Sequence, residues 1–144
     1  MNRPIYETGK DCARADVVFK FLSSKGSFIK LPRLHSFDFA RIVGKKISSV
    51  IELKCRNLEI KSFPTFIISS DKVLRLLHYC ETFNLEGSIA ILDRSGLYRL
   101  DIYAPCTIVV GGRTKKTRDE FDVELISEFE IKYLELVTKE IKYE

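Results

Sequence analysis

The order of apolar periodicities along this chain predicts an α/β (α+β) domain: helix, three strands, helix, strand, then extra C-terminal strands, α-β-β-β-α-β and onward. Three observations carry this. Apolar residues recur every three to four positions between 13 and 22. They fit extended runs between 27 and 54, two of which are joined by Gly44, Lys45 and Lys46. The helical period then returns between 73 and 83. At 144 residues the chain is expected to form one domain over 1–144, large enough for a proper core and too short for two.

Thr8 and Asp11 have the spacing of a capping box, with Asp where Glu or Gln is usual. Ala13, Val17 and Phe21, with Val18 and Leu22, then give a helix over about 9–24. Ser23, Ser24, Lys25 and Gly26 end it, with Gly26 placed for a left-handed residue. Strands are expected at about 27–31, 36–43 and 47–54. In the second, Phe37 and Phe39 would share one side, with Asp38 and Ala40 on the other. In the third, Ile51 and Leu53 would face the core while Glu52 and Lys54 face away.

Ser69, Ser70 and Asp71 would open the second helix by side-chain capping and by an acid in its first turn. Its apolar stripe is Val73, Leu76, Leu77, Cys80 and Phe83, and Gly87 breaks it. Strands at 88–92 and 97–103 would flank a turn of Asp93, Arg94, Ser95 and Gly96. Further strands fit 106–111 and 121–127. The tail from Phe129 to Tyr143 satisfies both the strand and the helix period, so the sequence leaves it open. No repeat, low-complexity segment or linker interrupts the chain.

The net charge of +4 permits an anionic partner without demanding one. Cys12, Cys55, Cys80 and Cys106 are widely spaced. Neither His35 nor His78 forms a metal-binding spacing with them, which argues against a zinc site or redox dithiol. There is no basic-then-apolar leader and no long apolar run. A soluble protein of a reducing cytoplasm, with no membrane partner, is expected.

The chemistry concentrates in two strands. Residues two apart on a strand point to one face, so Glu52 and Lys54 project side by side, and Asp38 on the preceding strand is able to join them. Two carboxylates suit a hard divalent cation such as Mg²⁺, which lowers the pKa of bound water and screens charge on a scissile phosphate. An ammonium on the same face would orient the attacking water or stabilise the pentavalent phosphate. The plain alternative is a solvated surface pair, worth roughly a few tenths of a kcal/mol.

In these features the sequence resembles the PD-(D/E)XK nuclease superfamily, and within it small phage-type endonucleases and Holliday-junction resolvases. The resemblance rests on Tyr6, Glu7 and Thr8 leading into the first helix; on Phe37, Asp38, Phe39 and Ala40; and on the run from Ile51 through Glu52, Leu53, Lys54 and Cys55 to Asn57. Ser70, Asp71 and Lys72 add to it, as do Gly112 and Arg113 through Asp122, Val123 and Glu124. It spans about 6–130, leaving 129–144 as a C-terminal extension. The implied fold is a restriction-endonuclease-like core, a mixed β-sheet flanked by helices. The implied roles are Asp38 and Glu52 as metal-binding acids, Lys54 as the catalytic lysine, and the backbone carbonyl of Leu53 as a further ligand. Lys72 matches a basic residue that meets DNA phosphate. Phe37 stands where the family name implies proline. A glutamate from the first helix often completes the site, but here Arg14, Ala15 and Asp16 occupy that stretch, with Glu7 or Asp16 as candidate substitutes.

Arg113, Lys115, Lys116 and Arg118 follow two glycines and would suit salt-sensitive phosphate contacts, although Asp119, Glu120 and Asp122 are able to neutralise them locally. Arg56, Lys45 and Lys46 are weaker candidates for the same role. His35 lies near Asp38 and could assist proton transfer, but a strand-edge histidine without a role is the simpler reading. Tyr79, Phe83, Tyr98 and Cys55 read as packing. The expected function is a metal-dependent endodeoxyribonuclease hydrolysing DNA phosphodiesters, structure-specific substrates included, with Mg²⁺ as cofactor and Mn²⁺ as a substitute. If phage-encoded, it would act in the host cytoplasm, and an apolar tail could serve a homodimer. The alternatives are an inactive nuclease-fold protein that binds DNA or assembles on it, and an interaction protein whose charges merely decorate a sheet.

Overall fold

The structure is a computed structural model that describes residues 9–32, 37–112 and 123–144, and side chains over 13–32, 37–111 and 124–144. Its elements are α1 (Gly9–Ser23), β1 (Phe28–Lys30), β2 (Phe39–Val43), β3 (Lys46–Cys55), β4 (Thr65–Ser69), α2 (Ser70–Phe83), β5 (Glu86–Leu92), β6 (Leu97–Asp101), β7 (Thr107–Gly112), β8 (Val123–Glu130) and β9 (Glu135–Thr138). Single 3₁₀ turns occupy Ile60–Ser62 and Ile131–Tyr133.

The main sheet has the strand order β1-β2-β3-β5-β6-β9, and β4-β8-β7 form a second sheet. Among the described residues every pairing is antiparallel except β3 with β5, where Ser49 to Cys55 run alongside Glu86 to Leu92. A parallel pair needs a crossover, and here it is supplied by β4 and α2. The sheet is therefore mixed. At the exposed hairpin between β2 and β3, Gly44 takes φ +64°, which a side chain would disfavour.

Both faces of the main sheet are covered. On one, Ala15 and Val18 of α1 pack on Phe39, Ile51, Ala90, Leu92 and Leu97. On the other, Val73, Leu76 and Cys80 of α2, with Phe66, Ile68 and Phe129 of the second sheet, meet Ala40, Val50, Ile89, Ile91, Tyr98 and Leu100. Alternate residues of β3 thus feed two different cores. This corrects the expectation that Glu52 and Lys54 simply face away from the packed side: Glu52 is only 5% exposed.

Several local expectations are revised. β4 was not anticipated, although Phe66 and Ile68 are buried and Ile67 is 48% exposed, a clean alternation. Five residues running directly into a helix start give little periodicity to read. Phe37 and Phe39 do not share a side. The strand begins at Phe39, so alternation does not reach back to Phe37, whose ring packs edge-on against Tyr79 of α2 at 4.5 Å while Phe39 stacks near Phe19 of α1. Gly26 has no positive φ. α1 instead closes by tightening, with the Ser24 amide donating to Lys20 and Phe21 carbonyls and the Ser24 hydroxyl donating to Phe21.

Ser69 makes no side-chain cap bond, and the Ser70 hydroxyl pairs with that of Ser127 at 2.9 Å. Asn84, at φ 53°, ends α2 rather than Gly87. Gly87 lies within β5, where a Cβ would stand 2.6 Å from Cys80 Sγ and from Ile102 Cδ1. Phe83 is 59% exposed and leaves the expected stripe. The tail resolves as a 3₁₀ turn and β9, with Phe129 and Leu134 in the core and Leu136 and Val137 of β9 exposed.

Candidate active site

Asp38 sits just before β2, and three bonds fix it. Its amide donates to the Ile51 carbonyl at 3.0 Å, its carbonyl accepts from the Leu31 amide at 2.8 Å, and its Oδ2 accepts from the Leu53 amide at 2.7 Å. The β2–β3 register ends at the Phe39–Ile51 pair, and beyond it the Asp38 side chain takes the place of a ladder carbonyl. Within a strand the N–H and C=O of one residue leave toward the same neighbour. The Leu53 carbonyl is therefore directed to the edge where Asp38 stands.

Glu52 lies one residue before Leu53, on the α2 side of the sheet. Its Oε1 is 3.5 Å from Lys54 Nζ on its own strand and 3.3 Å from Lys72 Nζ in the first turn of α2. Burial, and then the negative charge of Asp38, raise the Glu52 pKa to about 7; the two lysines pull the other way and do not win. A buried acid opposed by another acid and flanked by two ammoniums marks a candidate functional site.

The other sequence candidates disperse. Asp16 is 67% exposed on its side chain and pairs with Lys30 of β1 at 2.6 Å. Arg56 is packed rather than presented: its Nη1 donates to the Cys55 carbonyl at 3.1 Å, its guanidinium lies 5.4 Å from the Phe66 ring centroid, and burial lowers its pKa. Lys45 and Lys46 are exposed at the hairpin. Cys55 packs against the α1 core and Tyr98 is buried. Glu7, His35, Arg113, Lys115, Lys116 and Arg118 lie outside the described residues. What sequence reading missed is the contact of Lys72 with Glu52: it gave Lys72 only a phosphate, because the crossover that brings α2 onto β3 leaves no local signal.

Among the described residues no three His, Cys, Asp or Glu side chains converge. The oxygen donors present are the Asp38 and Glu52 carboxylates and the Leu53 carbonyl, the ligand chemistry that hard cations take. The charge of Asp38 raises the cost of ionising Glu52, a penalty that a cation between them would remove. The residues fit a divalent cation.

Residues 1–137 match the family described as "Phage putative PDDEXK endonuclease", and the chain belongs to that family of PD-(D/E)XK nucleases. Among solved structures it is similar to Hjc of Archaeoglobus fulgidus, a Holliday junction resolvase from an archaeal hyperthermophile, with 17% identity over 85% of this chain and 86% of that one and a TM-score of 0.52. The likeness establishes a restriction-endonuclease-like fold. A search of curated proteins gives no match. No described helix is long and apolar enough to cross a membrane.

Proposed function

We propose that the protein is a divalent-metal-dependent endodeoxyribonuclease, with Mg²⁺ as its cation and Mn²⁺ as a substitute. The observation that carries this is the buried Glu52 carboxyl, crowded by Asp38 and 3.5 Å from Lys54. Asp38, Glu52 and the Leu53 carbonyl would hold the cation. When bound, the cation acidifies water and offsets charge gathering on the scissile phosphate.

The remaining work belongs to the chain. Lys54 is fixed on the acid's own face, so its ammonium reaches the same phosphate, where it orients the water or neutralises the pentavalent phosphorus as the P–O bond to the leaving oxygen breaks. Burial keeps bulk water from screening these charges. DNA phosphates outside the reacting one would be met by Lys72 and by the basic stretch from Arg113 to Arg118.

The test is a cleavage panel of supercoiled plasmid, linear duplex, single strand and four-way junction, with Mg²⁺, Mn²⁺ or EDTA. A four-way junction belongs in it because the structural neighbour is a Holliday junction resolvase. Metal-dependent cleavage that Lys54→Ala abolishes supports the reading; full activity in that variant overturns it. A homodimer is part of the proposal, and a monomeric mass by light scattering counts against it.

A second reading has an observation of its own. Glu52 Oε1 is taken by two lysines, and no third acid joins the pair among the described residues. This favours a nuclease-fold protein that binds DNA without cutting it. Calorimetry separates the two, since a dead site binds no Mn²⁺ through Asp38 and Glu52.

A further inference from the structure

Glu52 has two counter-ions of different kinds. Lys54 is on the same strand, two residues along, and is held to that face by the pleat. Lys72 arrives from another element, in the first turn of α2, with 23% of its side chain exposed and its ammonium 3.3 Å from the same Oε1. A cation in a helix's first turn opposes the helix dipole, so Lys72 sits there against its local field and is compensated by Glu52. The oxygen it occupies is one a metal ion would use. An ammonium and a divalent cation do not share one carboxylate oxygen without strong repulsion. Lys54, itself 3.5 Å from that oxygen, needs only to turn its tip toward the phosphate on its own face, whereas Lys72 comes from a separate element and has to give up the contact.

We propose that Lys72 is an exchangeable counter-ion: it holds Glu52 in the metal-free protein, leaves when a divalent cation takes the Asp38–Glu52 pair, and then binds a backbone phosphate of the substrate. This rests on the reading of Asp38 and Glu52 as metal acids and deepens it. Lys72 would be a positioning and binding residue that makes metal and DNA binding mutually reinforcing. Coupling of this kind is reciprocal: whatever metal does for DNA affinity, DNA does for metal affinity.

The experiment is a Mn²⁺ titration by calorimetry at pH 8 without DNA, on wild type, Lys72→Met, Lys72→Arg and Glu52→Gln. Lys72→Met is expected to bind Mn²⁺ roughly tenfold more tightly than wild type, because a competing charge is gone. Lys72→Arg keeps the charge and stays close to wild type, and Glu52→Gln loses binding. The second readout is the anisotropy of a labelled duplex with and without Ca²⁺, an oxygen-seeking cation of looser geometry. Ca²⁺ raises wild-type affinity, and Lys72→Met loses roughly fivefold or more of that gain. Equal Mn²⁺ affinity in wild type and Lys72→Met, with Glu52→Gln still abolishing it, overturns the exchange while leaving the metal site standing. An undiminished Ca²⁺ gain in Lys72→Met overturns the phosphate half. No Mn²⁺ binding by any of the proteins removes the metal-site reading itself, and the exchange with it.

Discussion

The Leu53 amide donates to Asp38 Oδ2 at 2.7 Å, so the carboxylate that precedes β2 is bound to the residue standing between Glu52 and Lys54. A single side chain thus continues the hairpin's hydrogen bonding and sets the acids beside each other. Asp38→Asn retains an acceptor for Leu53 and should fold as wild type. Asp38→Ala leaves that amide without the carboxylate and should lose about 1–2 kcal/mol. Both should lose metal binding. Urea unfolding beside Mn²⁺ calorimetry separates the two roles; equal stability of the Asn and Ala forms would show the bond to be dispensable.

Lys54→Ala should lower the cleavage rate about 10²–10³-fold, the usual effect of deleting one transition-state donor. Its circular dichroism should match wild type, since the Lys54 ammonium meets the Glu52 carboxylate rather than the apolar core. Single-turnover rates on the preferred substrate, with binding measured separately, check this. A loss confined to binding would move Lys54 out of the chemistry.

Metal affinity should depend on pH through Glu52. Its pKa of about 7 means that at pH 6 most of the metal-free protein carries a proton there, which binding must expel. Mn²⁺ affinity should fall roughly tenfold between pH 8 and pH 6, with proton uptake by the buffer visible as buffer-dependent heat. A flat profile across that range would mean that Glu52 is ionised throughout.

The same shift predicts an unusual stability curve for the metal-free protein. A folded pKa above the unfolded value of 4.5 means the folded state holds the proton more tightly. Glu52's contribution is therefore fully present below about pH 4.5 and is lost as pH rises through about 7. Glu52→Gln cannot ionise and should be more stable than wild type at pH 8, by about 1–3 kcal/mol, with the gain shrinking as pH falls and vanishing below about pH 4.5. Paired urea midpoints at pH 8 and pH 4 decide it.

Gly87→Ala should destabilise by about 1–3 kcal/mol, because the new methyl would meet Cys80 Sγ and Ile102 Cδ1 at 2.6 Å where α2 crosses β5. A wild-type melting temperature in that variant would show that the helix yields freely.

Glu52 and Lys54 were legible as neighbours because strand alternation is local: residues two apart share a face whatever the rest of the chain does. Asp38 stands before β2, outside that alternation, and reaches them through the Leu53 amide. Both helices were legible, and α1 ends within a residue of its expected limit. Their stripes were read only in part: α1 buries Ala15 and Val18 and leaves Ala13 and Val17 exposed, as Phe83 is in α2. What eluded the sequence is what depends on distant partners. The burial of Glu52 comes from α2 and the second sheet closing over a face that alternation alone would leave to solvent. Phe37 joins the α2 core because Tyr79 waits for it there. β4 needs β8 beside it to be a strand at all, and that partner lies far along the chain.

The hairpin of β2 and β3 carries all three of these side chains at one end and its exposed Gly44–Lys45 turn at the other. From the turn to Glu52 the strand runs about seven residues, on the order of 23 Å. For the protein engineer, that turn is a handle placed well away from the proposed site: a peptide tag, a fluorophore or a fused recognition domain inserted there would hang from the protein without crowding Asp38, Glu52 and Lys54.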